Sequence, residues 1–357
     1  MGKYLNLYPA GVKRSYVPPG WSDWRVLLYH VSSDFYYGYT LNENGRLVRY
    51  GEKDEDYNTD VLRDRAIEFV ERSLRRRSPF FLFISPYAPH GPSEPAPRHA
   101  GLYADLTYPK SPSFHEEDIS DKPFIIRELS RTGGIIENEE ADYLFARRVR
   151  SMQAVDEMVA ALVQLLEQNG QLENTYIFFT SDNGFHMGEH SLPSGKMLPY
   201  EEDIRVPLLV RGPGIQPGAV IAQLTANIDI APTIAELVGA RSAEFVDGRS
   251  LVPFLHRRPG EDTDWRKGLL LETGYLDRES HVIAYRGIRA ERFTYVEYES
   301  GELEFYDLPA DPYQMDNLAN ELDAETLSML HVWLEQLSAC RAEGCRAAEM
   351  ALPEIFK

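Results

Sequence analysis

Two apolar runs bracket one short polar segment: Tyr176 to Phe179 leads into Thr180-Ser181-Asp182-Asn183-Gly184, and Val206 to Val210 leads into Arg211-Gly212-Pro213-Gly214. A buried strand that empties into an oxygen-rich pair and a glycine turn is the layout of a sheet edge that holds a ligand. Asp182 offers a carboxylate and Asn183 an amide carbonyl, ligands suited to calcium or magnesium rather than to softer metals. The same Asp-Asn-Gly string is also ordinary Asx-turn chemistry capping a strand. Downstream, Lys196 lies in a loop with Pro193, Gly195 and Pro199. There it could bring a cation to an anionic substrate oxygen beside a metal, or it could simply be solvated. His186 and His190 could donate to an anion or a leaving oxygen, or be surface histidines.

The chain is long enough, at 357 residues with 43% hydrophobic content, for one large domain and a smaller one. No segment has the length of a transmembrane helix. A formal charge of -19 argues against general nucleic-acid binding, which draws on a basic surface, so a polyanionic substrate requires local basic patches. Two arginine groups, Arg72, Arg75, Arg76 and Arg77, then Arg147, Arg148 and Arg150, fall on predicted helices, where a solvated charged face is the plainer reading. The two cysteines, Cys340 and Cys345, are too few for a cysteine-built zinc site. They could close a small loop, implying an oxidising compartment, or stand as two free thiols. Met1-Gly2-Lys3-Tyr4 has no apolar signal-peptide core.

The order of elements is that of an α/β protein. A hairpin is predicted over Tyr36 to Tyr50, turning at Asn44-Gly45. A helix follows, capped at Asn58-Thr59-Asp60 and ending near Ser78-Pro79, then an apolar strand over Phe80 to Ile84 that leads to His90. Helix, buried strand and functional loop together predict a predominantly parallel sheet. Residues Glu94 to Gly134, with many prolines, read as a long covering loop. A helix from about Glu139 to Gln168 should bury Leu144, Val149, Met152, Val155, Val159, Leu162 and Leu166. Another is predicted over Ile230 to Val238. The Pro253 to Gly260 region reads as a boundary, giving domains 1–260 and 261–357. The second should hold short strands at Leu269 to Glu272, His281 to Arg289, Phe293 to Tyr298 and Leu303 to Tyr306, with one final helix.

Together these landmarks resemble the sulfatase family of the alkaline-phosphatase-like superfamily, and within it the glucosamine-6-sulfatase and heparan-sulfate-type members. The residues that carry the resemblance are Gly2-Lys3-Tyr4-Leu5-Asn6, Val17-Pro18-Pro19-Gly20-Trp21, Ala88-Pro89-His90, Asn174-Thr175, Ser181-Asp182-Asn183-Gly184, Gly188-Glu189-His190, Lys196 and Val206-Pro207. In the tail they are Glu304-Phe305-Tyr306-Asp307-Leu308, Asp311-Pro312 and Asn317-Leu318. The resemblance implies an alkaline-phosphatase-like sandwich, with a large, mostly parallel central sheet flanked by helices and a small C-terminal antiparallel sheet with one helix. It implies a sulfuric ester hydrolase acting on a sulfated sugar or glycosaminoglycan, with Asp182 and Asn183 as ligands of one calcium ion. Lys3, His90 and Lys196 would contact the sulfate, and Asn6, His186 and His190 would bind substrate. Such enzymes are secreted, periplasmic or lysosomal.

The family's nucleophile is a formylglycine made from the first residue of a Cys/Ser-x-Pro/Ala/Ser-x-Arg motif, which precedes the Gly-Lys pair together with two acidic metal ligands. Here that pair stands at Gly2-Lys3, and neither Cys340, Cys345 nor Ser93 has an arginine in the required place. The expectation is an N-terminally truncated chain, inactive alone. Two alternatives stand beside it: a phosphatase or phosphonate hydrolase of the same superfamily, and a non-catalytic protein that binds sulfated glycans.

Overall fold

The computed structural model describes residues 1–29, 35–256, 265–273 and 285–356. The expected boundary at 260/261 and the first four residues of the expected strand His281 to Arg289 lie outside them. Two compact units emerge, one of 1–109 with 137–175, the other of 110–136 with 176–357.

In the first unit, strands Arg25–Leu27, Thr40–Glu43 and Arg46–Arg49 pair antiparallel in chain order. The last two form the predicted hairpin. Asn44 and Gly45 both take positive φ, 54° and 92°, as a two-residue turn matched to strand twist requires. Parallel pairing enters through Gly2, which bridges Val26 on one side and Ser85 on the other. A Cβ at Gly2 would lie 2.0 Å from the Ser85 carbonyl oxygen, so the two backbones meet only because position 2 has no side chain. Among the described residues, the expected strand Phe80 to Ile84 forms no ladder; its neighbour Ser85 carries the bridge, and Phe81 and Phe83 are more than half exposed. An apolar run of this kind suits burial on both faces, and here one face is open.

The helices Asn58–Arg76 and Asn138–Gln168 lie in this unit. The first buries Val61, Leu62, Ala66, Phe69 and Val70 and ends in a left-handed residue, Arg77. On the second, the fully buried stripe is narrower and smaller than expected: Ala141, Ala146, Ser151, Ala154, Val155, Met158 and Leu166. Of the expected core set only Val155 and Leu166 are fully buried; the rest are half-buried, because small residues let the helix approach closely and its larger neighbours flank the contact.

In the second unit, Ile177–Thr180 pairs antiparallel with Leu208–Arg211. The latter strand begins after Pro207, which has no N–H for a ladder. The proline-rich stretch expected as loop contains a helix, Phe124–Gly133, started by Pro123, with Ile126 fully buried. Strands Gly268–Thr273, Tyr285–Ala290, Phe293–Tyr298 and Leu303–Asp307 form an antiparallel meander. One face, with Ile288, Phe293, Tyr295 and Phe305, packs on Leu330, Trp333, Leu334 and Leu337 of the helix Ala324–Ala339. The other, with Tyr285, Val296, Tyr298 and Tyr306, packs on Ile126, Leu192, Leu198 and Tyr200. The sheet is therefore buried on both sides. A second terminal helix, Glu343–Met350, adds to the single one expected, and Cys340 and Cys345 form a disulfide between the two.

Candidate active site

The strand Ile177–Thr180 delivers Asp182 and Asn183 to a tight turn. Asp182 Oδ1 accepts from the Asn183 N–H at 3.0 Å, and Ser181 Oγ donates to the Asn183 carbonyl at 2.9 Å. Gly184 then passes so close to the segment at 202–203 that a Cβ would stand 1.9 Å from the Glu202 carbonyl oxygen. Two backbone bonds hold that approach, Gly184 N–H to Asp203 O at 2.8 Å and Phe185 N–H to Glu202 O at 2.7 Å. Asp182 is exposed and Asn183 half-buried.

Lys196 reaches the same turn: its Nζ donates to Asn183 Oδ1 at 3.2 Å. The backbone brings it there, because His186 and Gly195 exchange both N–H bonds at 3.0 Å. His186 is 4% exposed, and its Nδ1 meets Asp203 Oδ1 at 2.9 Å; Asp203 Oδ2 accepts from the Leu198 N–H at 2.8 Å. His190 is fully buried, its Nδ1 2.7 Å from Glu116 Oε2 and its ring 4.0 Å from that of Tyr200. Both histidines thus face carboxylates behind the turn. Burial raises the Glu202 carboxyl above its ordinary range.

The remaining candidates lie in the first unit. Lys3 follows the Gly2 bridge and is half-buried, and Asn6 lies in an exposed turn. His90 is exposed, its Nδ1 3.0 Å from the Gly91 carbonyl and its ring centre 4.7 Å from that of Tyr87, tilted by 36°. Its loop carries cis bonds at Ala88-Pro89 and Gly91-Pro92. Arg147 Nε donates to Pro92 O at 3.0 Å, Arg148 Nη1 to Pro89 O at 3.4 Å, and Tyr36 Oη to His90 O at 2.7 Å. Arg147 and Arg148, read from sequence as a solvated face, instead hold carbonyls on both sides of His90. Burial pushes the Arg148 guanidinium below its ordinary range.

Sequence reasoning missed Asp203, Glu116 and these two arginines as supports. Asp203 closes an acidic run, Glu201-Glu202-Asp203, which was the one signal available for it. Among the described residues no group of three or more His, Cys, Asp or Glu side chains is arranged to hold a metal ion. Asp182 and Asn183 fit a hard cation by donor chemistry, as a neighbouring carboxylate and amide oxygen.

A family model described as sulfatase matches residues 13–240, and one described as N-sulphoglucosamine sulphohydrolase, C-terminal, matches residues 188–340. The chain is 35% identical over 379 residues to an N-acetylglucosamine-6-sulfatase of Bos taurus, covering 97% of this chain and 66% of the relative. It therefore spans about two thirds of that relative's length. A solved structure of a protein in complex with its substrate D-glucosamine-2-N,6-O-disulfate superposes with a TM-score of 0.76 at 25% identity, covering 95% of this chain and 79% of that one. The phosphonate monoester hydrolase of Agrobacterium radiobacter gives 0.65 at 25% identity, covering 81% and 61%. These solved structures share the alkaline-phosphatase-like fold expected from sequence. With its turn of Asp182 and Asn183 bonded to Lys196, and a family model matched over more than half its length, the chain belongs to the sulfatase family.

Proposed function

We propose that this chain belongs to a sulfuric ester hydrolase that releases sulfate from a 6-sulfated glucosamine residue of a glycan. The observation that carries the reading is the Lys196 to Asn183 bond at 3.2 Å, which sets a cation beside the Asp182-Asn183 turn. The likeness to an N-acetylglucosamine-6-sulfatase and to a structure holding a disulfated glucosamine supports the substrate class.

Asp182 and Asn183 would hold one calcium ion, which when bound neutralises charge on the sulfate oxygens. Lys196 and Lys3 supply further positive charge to those oxygens, worth most as the S–O bond stretches and charge builds. His90 protonates the departing sugar oxygen, and the 3.0 Å contact of its Nδ1 with the Gly91 carbonyl helps to fix the ring. Asn6 contributes a polar contact to the sugar. His186 and His190, turned into carboxylates, hold the loop that carries Lys196.

Cys340 and Cys345 are bonded to each other, so neither is free to become a formylglycine. Purified residues 1–357 should therefore bind D-glucosamine 6-sulfate in the presence of calcium without hydrolysing an aryl sulfate. Calorimetric titration with calcium and then with the sugar tests the first part; no binding of either would sink the reading. The disulfide also supports an oxidising location, secreted, periplasmic or lysosomal.

The likeness to a phosphonate monoester hydrolase favours a second reading, transfer at phosphorus. Phenylphosphonate that displaces glucosamine 6-sulfate and binds at least as tightly would favour it.

A further inference from the structure

Lys196 sits on a short arch. At Gly195 the chain is pinned by the double bond to His186, and at Leu198 by the bond to Asp203. Between them Met197 takes a φ of 86°, so the arch keeps its shape only while both ends are held. The far end continues into Tyr200, whose hydroxyl donates to Glu304 Oε1 at 2.8 Å.

Glu304 is fully buried in the meander and receives three phenol hydroxyls: Tyr200 and Tyr306 on Oε1, at 2.8 and 2.7 Å, and Tyr298 on Oε2 at 2.7 Å. The contacts form a closed circuit. Lys122 Nζ lies 5.3 Å over the Tyr306 ring and 3.1 Å from Glu116 Oε1; Glu116 Oε2 meets His190 Nδ1; and the His190 ring lies against Tyr200, which returns to Glu304. The circuit joins the proline-rich segment, the Lys196 loop and the C-terminal sheet. Filling this space with apolar residues would avoid the cost of desolvating a carboxylate and an ammonium, so stability alone is a poor reason for it. Polar groups do something apolar ones cannot: they fix one geometry by direction.

Resting on the sulfated-sugar reading above, we propose that Glu304, acting through Tyr200, is a positioning residue for Lys196. It touches no substrate; it sets the end of the arch from which the ammonium reaches Asn183 and an incoming sulfate.

The test uses Tyr200→Phe and Glu304→Gln, which keep shape and change only the polar contacts, in the whole chain. Both should retain the wild-type circular dichroism. In Tyr200→Phe, amide hydrogen exchange should speed up about fivefold across residues 195–200 and stay unchanged across 293–298, the effect expected from one lost hydrogen bond. The dissociation constant for D-glucosamine 6-sulfate should rise about fivefold in Tyr200→Phe but not further when Tyr200→Phe is added to Lys196→Ala. Unchanged exchange across 195–200, or an equal loss of binding in the Lys196→Ala background, overturns the proposal. If the wild type binds no glucosamine 6-sulfate, the sulfated-sugar reading falls, and the exchange measurement still decides whether the circuit sets the arch.

Discussion

Gly184 occupies a place no side chain can share, 1.9 Å between a hypothetical Cβ and the Glu202 carbonyl oxygen. Gly184→Ala should therefore force the Asp182-Asn183 turn away from the 202–203 segment and cost about 1–3 kcal/mol, measured by urea unfolding. Lys196→Ala, at a half-buried side chain, should weaken D-glucosamine 6-sulfate binding about tenfold, measured by calorimetric titration. On the proposed calcium site, calcium should raise the wild-type melting temperature and Asp182→Ala should abolish that rise, since binding to the native state alone produces it. Asp182, Asn183 and Lys196 stand out in the sequence because their polar groups lie within fifteen residues, and the fold sets Lys196 Nζ 3.2 Å from Asn183 Oδ1. Their supports do not stand out. Asp203 and Glu116 meet His186 and His190 across 17 and 74 positions, contacts that exist only after folding, so two buried histidines read as possible substrate contacts.

At the scale of elements, periodicity was legible where one face is buried, as in the long helix, and where turn chemistry is unambiguous, as at Asn44-Gly45. It failed for Phe124–Gly133, because prolines and a length of 10 residues masked a helix that proline can start. The meander was legible strand by strand, yet its double-sided burial was not, since tyrosines alternate with aliphatic residues on both faces. Trp333, 1% exposed on the helix Ala324–Ala339, packs against one of those faces and donates Nε1–H to Ala348 O at 2.7 Å. Trp333→Ala should cost about 3–5 kcal/mol in chemical denaturation, through the cavity and the orphaned carbonyl together.

For the whole molecule, acid titration should carry the mark of the buried carboxyl. Burial raises Glu304 above a carboxylate's usual 4.5, although its tyrosine bonds and Lys122 oppose the shift. The folded state thus holds the proton more tightly than the unfolded chain, and this contribution is full below pH 4.5 and lost as pH rises through the folded value. The melting temperature of the wild type minus that of Glu304→Gln should fall as pH is raised from 4.5 toward neutrality; a flat difference would mean that Glu304 titrates normally. The strands of the meander pair in chain order, each with the next, so its contacts are local in sequence and cheap to close during folding. Yet the wall it builds for residues 192–200 comes from residues 285–308. During synthesis the loop that presents Lys196 leaves the ribosome about a hundred residues before the sheet that will hold it, and it acquires its shape only when the last quarter of the chain arrives.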